Sequence, residues 1–196
     1  MRVIGGDAKG RRLVAPDLPG VRPTSDRVRE AMFDILEARE LVEDARVVDL
    51  FAGTGALGIE ALSRGARSVT FIEHDRRAVA AIERNLELAG YSGHGGVRLV
   101  RSEVESWAAL HGREPADVVL ADPPYEFDQW GWLFESLAAP TLLVEHRGRL
   151  EIRGQYEISR EYRYGGTLVT LVQSRPDGPA SALDPLEPAT NNEDSA

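Results

Sequence analysis

The chain has no cysteine, which excludes disulfides and thiolate metal sites. Long apolar runs are also missing, and none approaches the eighteen or so residues of a membrane span. The opening residues, MRVIGGDAKG, lack the apolar stretch of a signal peptide. A soluble cytoplasmic protein with no membrane partner is therefore the expected setting. Only four histidines occur, His74, His94, His111 and His146, and none stands at metal-ligand spacing, so no metal is expected. The three tryptophans, Trp107, Trp130 and Trp132, read first as core or rim packing, the alternative being a base-stacking platform in which Trp130 or Trp132 borders a substrate. What the chain does have is apolar residues at 42% over 196 positions, enough for one well-buried domain.

Positive charge is scarce and uneven. The net charge is −9, yet residues 1–29 hold seven Lys/Arg against three Asp/Glu. Residues 175–196 hold one Arg against five acids, with four prolines. A basic arm on an acidic body can contact phosphates, because binding follows the local field; the alternative is that these charges only solvate a surface. The tail has too few apolar groups to order itself. The expected organisation is a basic arm over 1–29, a main domain over 30–174 and a disordered acidic tail over 175–196. Val3–Val14 suggests a short hairpin with Lys9, Arg11 and Arg12 at its tip. Ser25 or Asp26 can cap a helix over Arg27–Ala38.

From Arg46 onward, strand and helix patterns alternate. Val47–Phe51, Ser68–Ile72, Val97–Val100, Val118–Ala121 and Leu142–Glu145 read as strands. Leu57–Arg64, Arg76–Ala89 and Trp130–Leu137 read as helices. Such alternation implies a parallel sheet with helices on both faces. The end differs, since Glu157–Arg163 and Thr167–Ser174 flank a Gly165-Gly166 turn and predict an antiparallel hairpin. The expected fold class is α/β, a Rossmann-like, mostly parallel seven-stranded sheet closed by that hairpin, with a short N-terminal arm. This arrangement is unusual for a dehydrogenase and usual for enzymes using S-adenosylmethionine (SAM).

Two segments at the ends of buried strands carry the chemistry. In Asp49–Gly58, DLFAGTGALG, Gly53, Gly55 and Gly58 fit G-x-G-x-x-G, which permits a tight turn that a ligand can approach. Glu73, twenty residues after Gly53, can accept ribose hydroxyls. Asp49 favours SAM over a dinucleotide, because an acid suits an ammonium and a sulfonium better than a pyrophosphate; alternatively it hydrogen-bonds to the turn. Glu103 can accept from an adenine amino group with Val104 against the ring, or it is only an exposed helix cap. The second segment is Asp122-Pro123-Pro124-Tyr125. The Asp122 carboxylate and the Pro123 carbonyl can each accept one hydrogen of an amino group. The prolines fix the backbone, and Tyr125 can stack on a planar base. The alternative is a proline-stiffened loop with a surface tyrosine. Together the two segments predict methyl transfer from SAM to an amino nitrogen.

The segments GGDAKGRRL, RPTSDRVREAMFDIL, VVDLFAGTGALGIEALSRGA, FIEHD and VVLADPPY stand in an order and spacing that resembles the RsmD family. The likeness spans about residues 2–174, and RPTSDRVRE is its most specific part. The resemblance implies a SAM-dependent methyltransferase acting on N2 of one guanine in 16S rRNA, with the 30S subunit as partner. It implies that Asp49, Phe51, Ala52, Gly53, Thr54, Gly55, Glu73 and Glu103 line the SAM site. Asp122, Pro123 and Tyr125 would hold the guanine, and Lys9, Arg11, Arg12, Arg22 and Arg27 would meet RNA phosphates or the cofactor's carboxylate. Position 103 departs from the shorter Asn or Asp usual there. Competing readings are a DNA adenine or protein glutamine methyltransferase and a non-catalytic RNA-binding assembly factor. Nothing in the sequence forces a dimer, and a monomer is expected.

Overall fold

A computed structural model describes residues 1–15 and 26–175. Seven strands form one sheet in the order β3-β2-β1-β4-β5-β7-β6. They are β1 (Arg46–Leu50), β2 (Ser68–Glu73), β3 (Val97–Arg101), β4 (Val118–Ala121), β5 (Thr141–His146), β6 (Tyr156–Tyr164) and β7 (Thr167–Ser174). The first five pair in parallel, and β7 runs antiparallel to both β5 and β6. The helices are α1 (Asp26–Glu37), α2 (Ala56–Ser63), α3 (Arg76–Ala89), α4 (Val104–His111) and α5 (Trp130–Ser136). Helix α4 is anticipated only by the helix-cap reading of Glu103 and not by any apolar pattern. Its eight residues, VESWAALH, bury only Val104, Trp107 and Ala108, too few for a readable period.

The central strands are covered on both faces, so they read as continuous apolar runs: all of β4 and β5 is buried. Alternate residues feed two cores. Val69, Phe71, Val118, Leu120 and Leu143 pack with Met32, Phe33, Ile59 and Ile82 from α1, α2 and α3. Leu50, Ile72, Val119, Ala121 and Val144 pack with Trp107, Trp130, Leu133 and Phe134 from α4 and α5. Strand β6 is one of the two edges, and its outward Arg160, Glu161 and Arg163 discourage pairing with a further strand.

The predicted N-terminal hairpin is reduced to one bridge, Arg2 with Arg12, and a compact turn. That turn is seated on α2 rather than projecting. The Ile4 and Gly5 N–H groups donate to the Glu60 carboxylate at 2.8 and 2.7 Å, and the Ala8 N–H donates to Ser63 Oγ at 2.9 Å. Gly6, at φ +70°, lies so close to the Ser63 carbonyl that a side chain would overlap it. Glu60 is fully buried and ion-paired to buried Arg29 and Arg64, which fastens α1, α2 and the N-terminal residues together. No helix among the described residues is long and apolar enough to cross a membrane.

Candidate active site

Strand register gathers four acids at one place. Leu50 lies beside both Ile72 and Ala121, and Ala121 lies beside Val144. The next residues along these strands are Glu73, Asp122 and Glu145, all at the carboxyl edge. They share the α2-side face with Asp49, because side chains alternate and Phe71, Leu120 and Leu143 precede them by two. Open parallel sheets bind ligands at this edge.

The glycine turn builds one side of the crevice. Asp49 is fully buried, and its Oδ2 accepts the Gly58 N–H at 2.9 Å. Its Oδ1 has no hydrogen-bond partner among the described residues. Burial, only partly offset by the Gly58 bond and reinforced by Asp122 and Glu73, pushes the Asp49 carboxyl up to about 8. Glu73 Oε2 accepts from the Gly53 N–H and Oε1 from the Asp75 N–H, both at 2.8 Å. Each oxygen retains a second lone pair. Gly58 touches β2 so closely that a Cβ would collide with the Phe71 ring, which explains the third glycine as a packing device. Phe51 is held at φ 57°, an uncommon backbone for an aromatic residue, with its ring edge-on to Phe127 at 5.1 Å. Ala52 and Thr54 are buried, and the Thr54 carbonyl accepts from Asn85 Nδ2 at 2.8 Å.

Two cavities open from this edge. One, of about 190 Å³, is lined by Phe51, Glu73, His74, Ser102, Glu103, Val104 and Phe127 among others. Glu103 is exposed there at the N-terminus of α4 and makes no capping bond, while Val104 is buried against the wall. The other, of about 270 Å³, is lined by Asp122–Tyr125, Phe127, Trp130 and Glu145–Arg149 among others. Pro124 and Phe127 belong to both walls, so the cavities are neighbours. Pro123 is buried and Asp122 half-buried, as a stiff turn leaving a buried strand requires. Tyr125 is 51% exposed, with the Arg147 guanidinium 3.6 Å over its ring and an Arg147 Nη2 to Tyr125 Oη bond of 2.8 Å.

The crevice thus chains its acids through Asp122: Asp49 feels Asp122 and Glu73, and Glu145 feels Asp122. Burial and the nearby Asp122, eased by Arg147, push Glu145 up to about 8 as well. Such a site attracts a ligand carrying positive charge and neighbouring N–H donors. Among the described residues, no group of three or more His, Asp or Glu is arranged to hold a metal ion.

The basic residues are not brought together. Lys9 is in the turn seated near Ser63, and Arg11 lies against Gly90. Both stand at the C-terminal ends of α2 and α3, the opposite edge of the sheet from the crevice. Arg12 is exposed beside Arg2. Arg27 stands at the start of α1 in a groove with Tyr162 and Tyr164, the latter at the crevice edge. Arg22 lies outside the described residues, as does the tail beyond residue 175. Sequence reasoning missed Phe127, Glu145 and Arg147. A charged residue ending the apolar run TLLVEH was the available signal for Glu145.

A family model described as conserved hypothetical protein 95 matches residues 1–173. Ribosomal RNA small subunit methyltransferase D of Escherichia coli (strain K12) is 35% identical over 192 residues, covering 93% of this chain and 94% of its own. The solved structure of Escherichia coli yhhF is 36% identical at a TM-score of 0.76, covering 89% of this chain and 97% of its own. An RNA methyltransferase of Salinibacter ruber, solved in complex with S-adenosyl-L-homocysteine, shares the fold at 21% identity and a TM-score of 0.61, covering 81% and 97%.

Proposed function

This chain belongs to the RsmD family, and from that membership we propose that it transfers a methyl group from SAM to the exocyclic N2 amino group of a specific guanine in 16S rRNA, held within the cytoplasmic 30S subunit. One observation carries this reading: the two cavities meet at Pro124 and Phe127, with Glu73 on the wall of one and Asp122 and Glu145 on the wall of the other. The relative from Escherichia coli, named for small-subunit ribosomal RNA, supports the substrate class.

The residues fit the cofactor. The orphaned, buried Asp49 Oδ1 suits its ammonium group. Glu73 keeps lone pairs for the ribose hydroxyls. The smaller cavity, with Glu103 and Val104 on its wall, takes the adenine. The bare backbone of Phe51–Gly55 admits the cofactor's chain, since a Cβ at Gly53 would find nothing nearer than the Phe51 carbonyl at 3.8 Å. When bound, SAM supplies a methyl group already activated by its sulfonium charge.

The protein's own work is positioning. The Asp122 carboxylate and the Pro123 carbonyl accept the two amino hydrogens, which aims the nitrogen lone pair toward the neighbouring cavity. The same acceptors stabilise the positive charge that grows on nitrogen. Tyr125 stacks on the base, which must leave any helical stack to reach this pocket. Arg27 meets an RNA phosphate on the crevice side, and Arg22, Lys9, Arg11 and Arg12 are separate phosphate contacts on a folded RNA surface, Lys9 and Arg11 from the opposite edge of the sheet. One copy of the chain suffices for all these roles.

The test is transfer of labelled methyl from SAM to unmethylated 30S subunits, naked 16S rRNA and duplex DNA in parallel. N2-methylguanine recovered from 30S or rRNA, and lost with Asp122→Ala, is the expected result. Label confined to DNA, or full activity in Asp122→Ala, overturns the reading.

A further inference from the structure

We propose that Glu145 selects guanine by accepting the ring N1–H that lies next to the amino group held by Asp122. This inference rests on the methyl-transfer reading and adds the residue that chooses the base.

Glu145 lines the larger cavity together with Asp122, and the register of β4 against β5 sets the two acids side by side. It is 8% exposed, and its Oε2 has no hydrogen-bond partner among the described residues. A buried acceptor without a partner is costly to the fold, and a leucine or valine would continue the apolar run of β5 at less cost. The side chain therefore has no visible structural task. What it offers is an acceptor in the wall of the cavity that Asp122 also lines.

The ring neighbour of the amino group distinguishes the bases. In adenine and cytosine the ring nitrogen beside the exocyclic amino group is an acceptor, with a lone pair and no hydrogen. In guanine the 2-amino group is flanked by two ring nitrogens, N3, an acceptor, and N1, which carries a hydrogen and lies on the O6 side. An ionised Glu145, the form that an N1–H arriving at its open oxygen favours, therefore pairs with guanine and opposes the lone pair of the other two. Beyond N1–H, guanine presents O6, an acceptor. Arg147, two residues along the chain and within electrostatic reach of Glu145, carries donors on the same rim. Asp122, Glu145 and Arg147 so offer acceptor, acceptor and donor, the complement of the N2–H, N1–H and O6 edge. His146, between them, points to the other face of β5, where Nε2 lies 2.8 Å from Thr170 Oγ1 and Nδ1 lies 2.7 Å from the Gly148 carbonyl. Those two contacts hold the strand end and the Arg147 loop in place.

The discriminating probe is 2-aminopurine, which keeps the 2-amino group but has an acceptor at N1. Once the modified guanine is mapped, 30S subunits are reassembled with guanine or 2-aminopurine at that position. Wild type is expected to favour guanine by on the order of 10²-fold or more in kcat/KM, as sites built to pair a donor do. Glu145→Gln is expected to narrow that preference about 10-fold or more, because the amide can turn its NH2 toward an acceptor. Its S-adenosylhomocysteine binding should match wild type, and its melting temperature should be no lower. Equal methylation of 2-aminopurine and guanine by wild type overturns the proposal and needs no variant. An undiminished guanine preference in Glu145→Gln also overturns it, while leaving the methyl-transfer reading intact. Absence of any transfer to guanine in 30S or rRNA overturns both.

Discussion

Glu60 and Glu145 are both buried glutamates, yet their surroundings differ in kind. Glu60 accepts from two backbone N–H groups and from Arg64, and lies 3.7 Å from the Arg29 guanidinium. Glu145 sits beside another carboxylate and leaves an oxygen without a partner. Asp49 resembles Glu145, with one oxygen spent on Gly58 and one open. A buried acid whose lone pairs are filled by the chain acts as a structural fastener. One whose lone pairs are left open is held for something that arrives from outside.

The largest expected effect breaks the fastener. Glu60→Ala leaves buried Arg29 with only the half-exposed Asp26, and Arg64 with only the half-exposed Glu37, as ion-pair partners and should cost about 3–5 kcal/mol, read by denaturant unfolding. A loss under about 1 kcal/mol would erase the contrast between the two glutamates. On the crevice side, Asp122→Ala should lower kcat about 10²–10³-fold with little change in the unfolding midpoint. A stability loss as large as that of Glu60→Ala would make Asp122 a second fastener. Gly58→Ala comes next: the added methyl meets the Phe71 ring and should cost about 1–3 kcal/mol, seen as a lower melting temperature.

The smallest effect sharpens the comparison through pH. Asp49 and Glu145 have folded pKa values raised to about 8 from the ordinary 3.8 and 4.5. The native state therefore binds more protons than the unfolded chain between these limits. Their contribution to stability is full below about pH 4 and falls away as pH rises to about 8. Asp49→Asn and Glu145→Gln should each flatten that part of the stability profile, measured by urea unfolding across pH. Binding of cationic SAM should release protons near pH 7, visible by calorimetry in buffers of different ionisation enthalpy. Proton uptake instead would reverse the sign assigned to these acids.

Legibility varied with how local the signal was. Strand β4 and helix α3 fall where the apolar periodicity put them, and Gly53, Gly55 and Asp122 stand at the strand ends that their turns required. Helix α4 left no apolar pattern because its buried face is three residues wide. The N-terminal hairpin was predicted as a projecting arm, since nothing in residues 1–14 announces that their N–H groups end on Glu60 and Ser63. Those partners lie 55 or more positions away in the chain. Asn85, which binds both the Val14 backbone and the Thr54 carbonyl, gave no sign for the same reason.

By itself the sequence determined the alternating architecture, the antiparallel close and the two chemical turns, because hydrophobic period and the backbone demands of glycine and proline act within a few residues. Only the tertiary structure decided which acids are neighbours. Asp49, Glu73, Asp122 and Glu145 come from four strands, and their meeting depends on strand order and register. It also decided that Glu60 is satisfied while Glu145 is not, since burial and hydrogen-bond partners are properties of the packed chain.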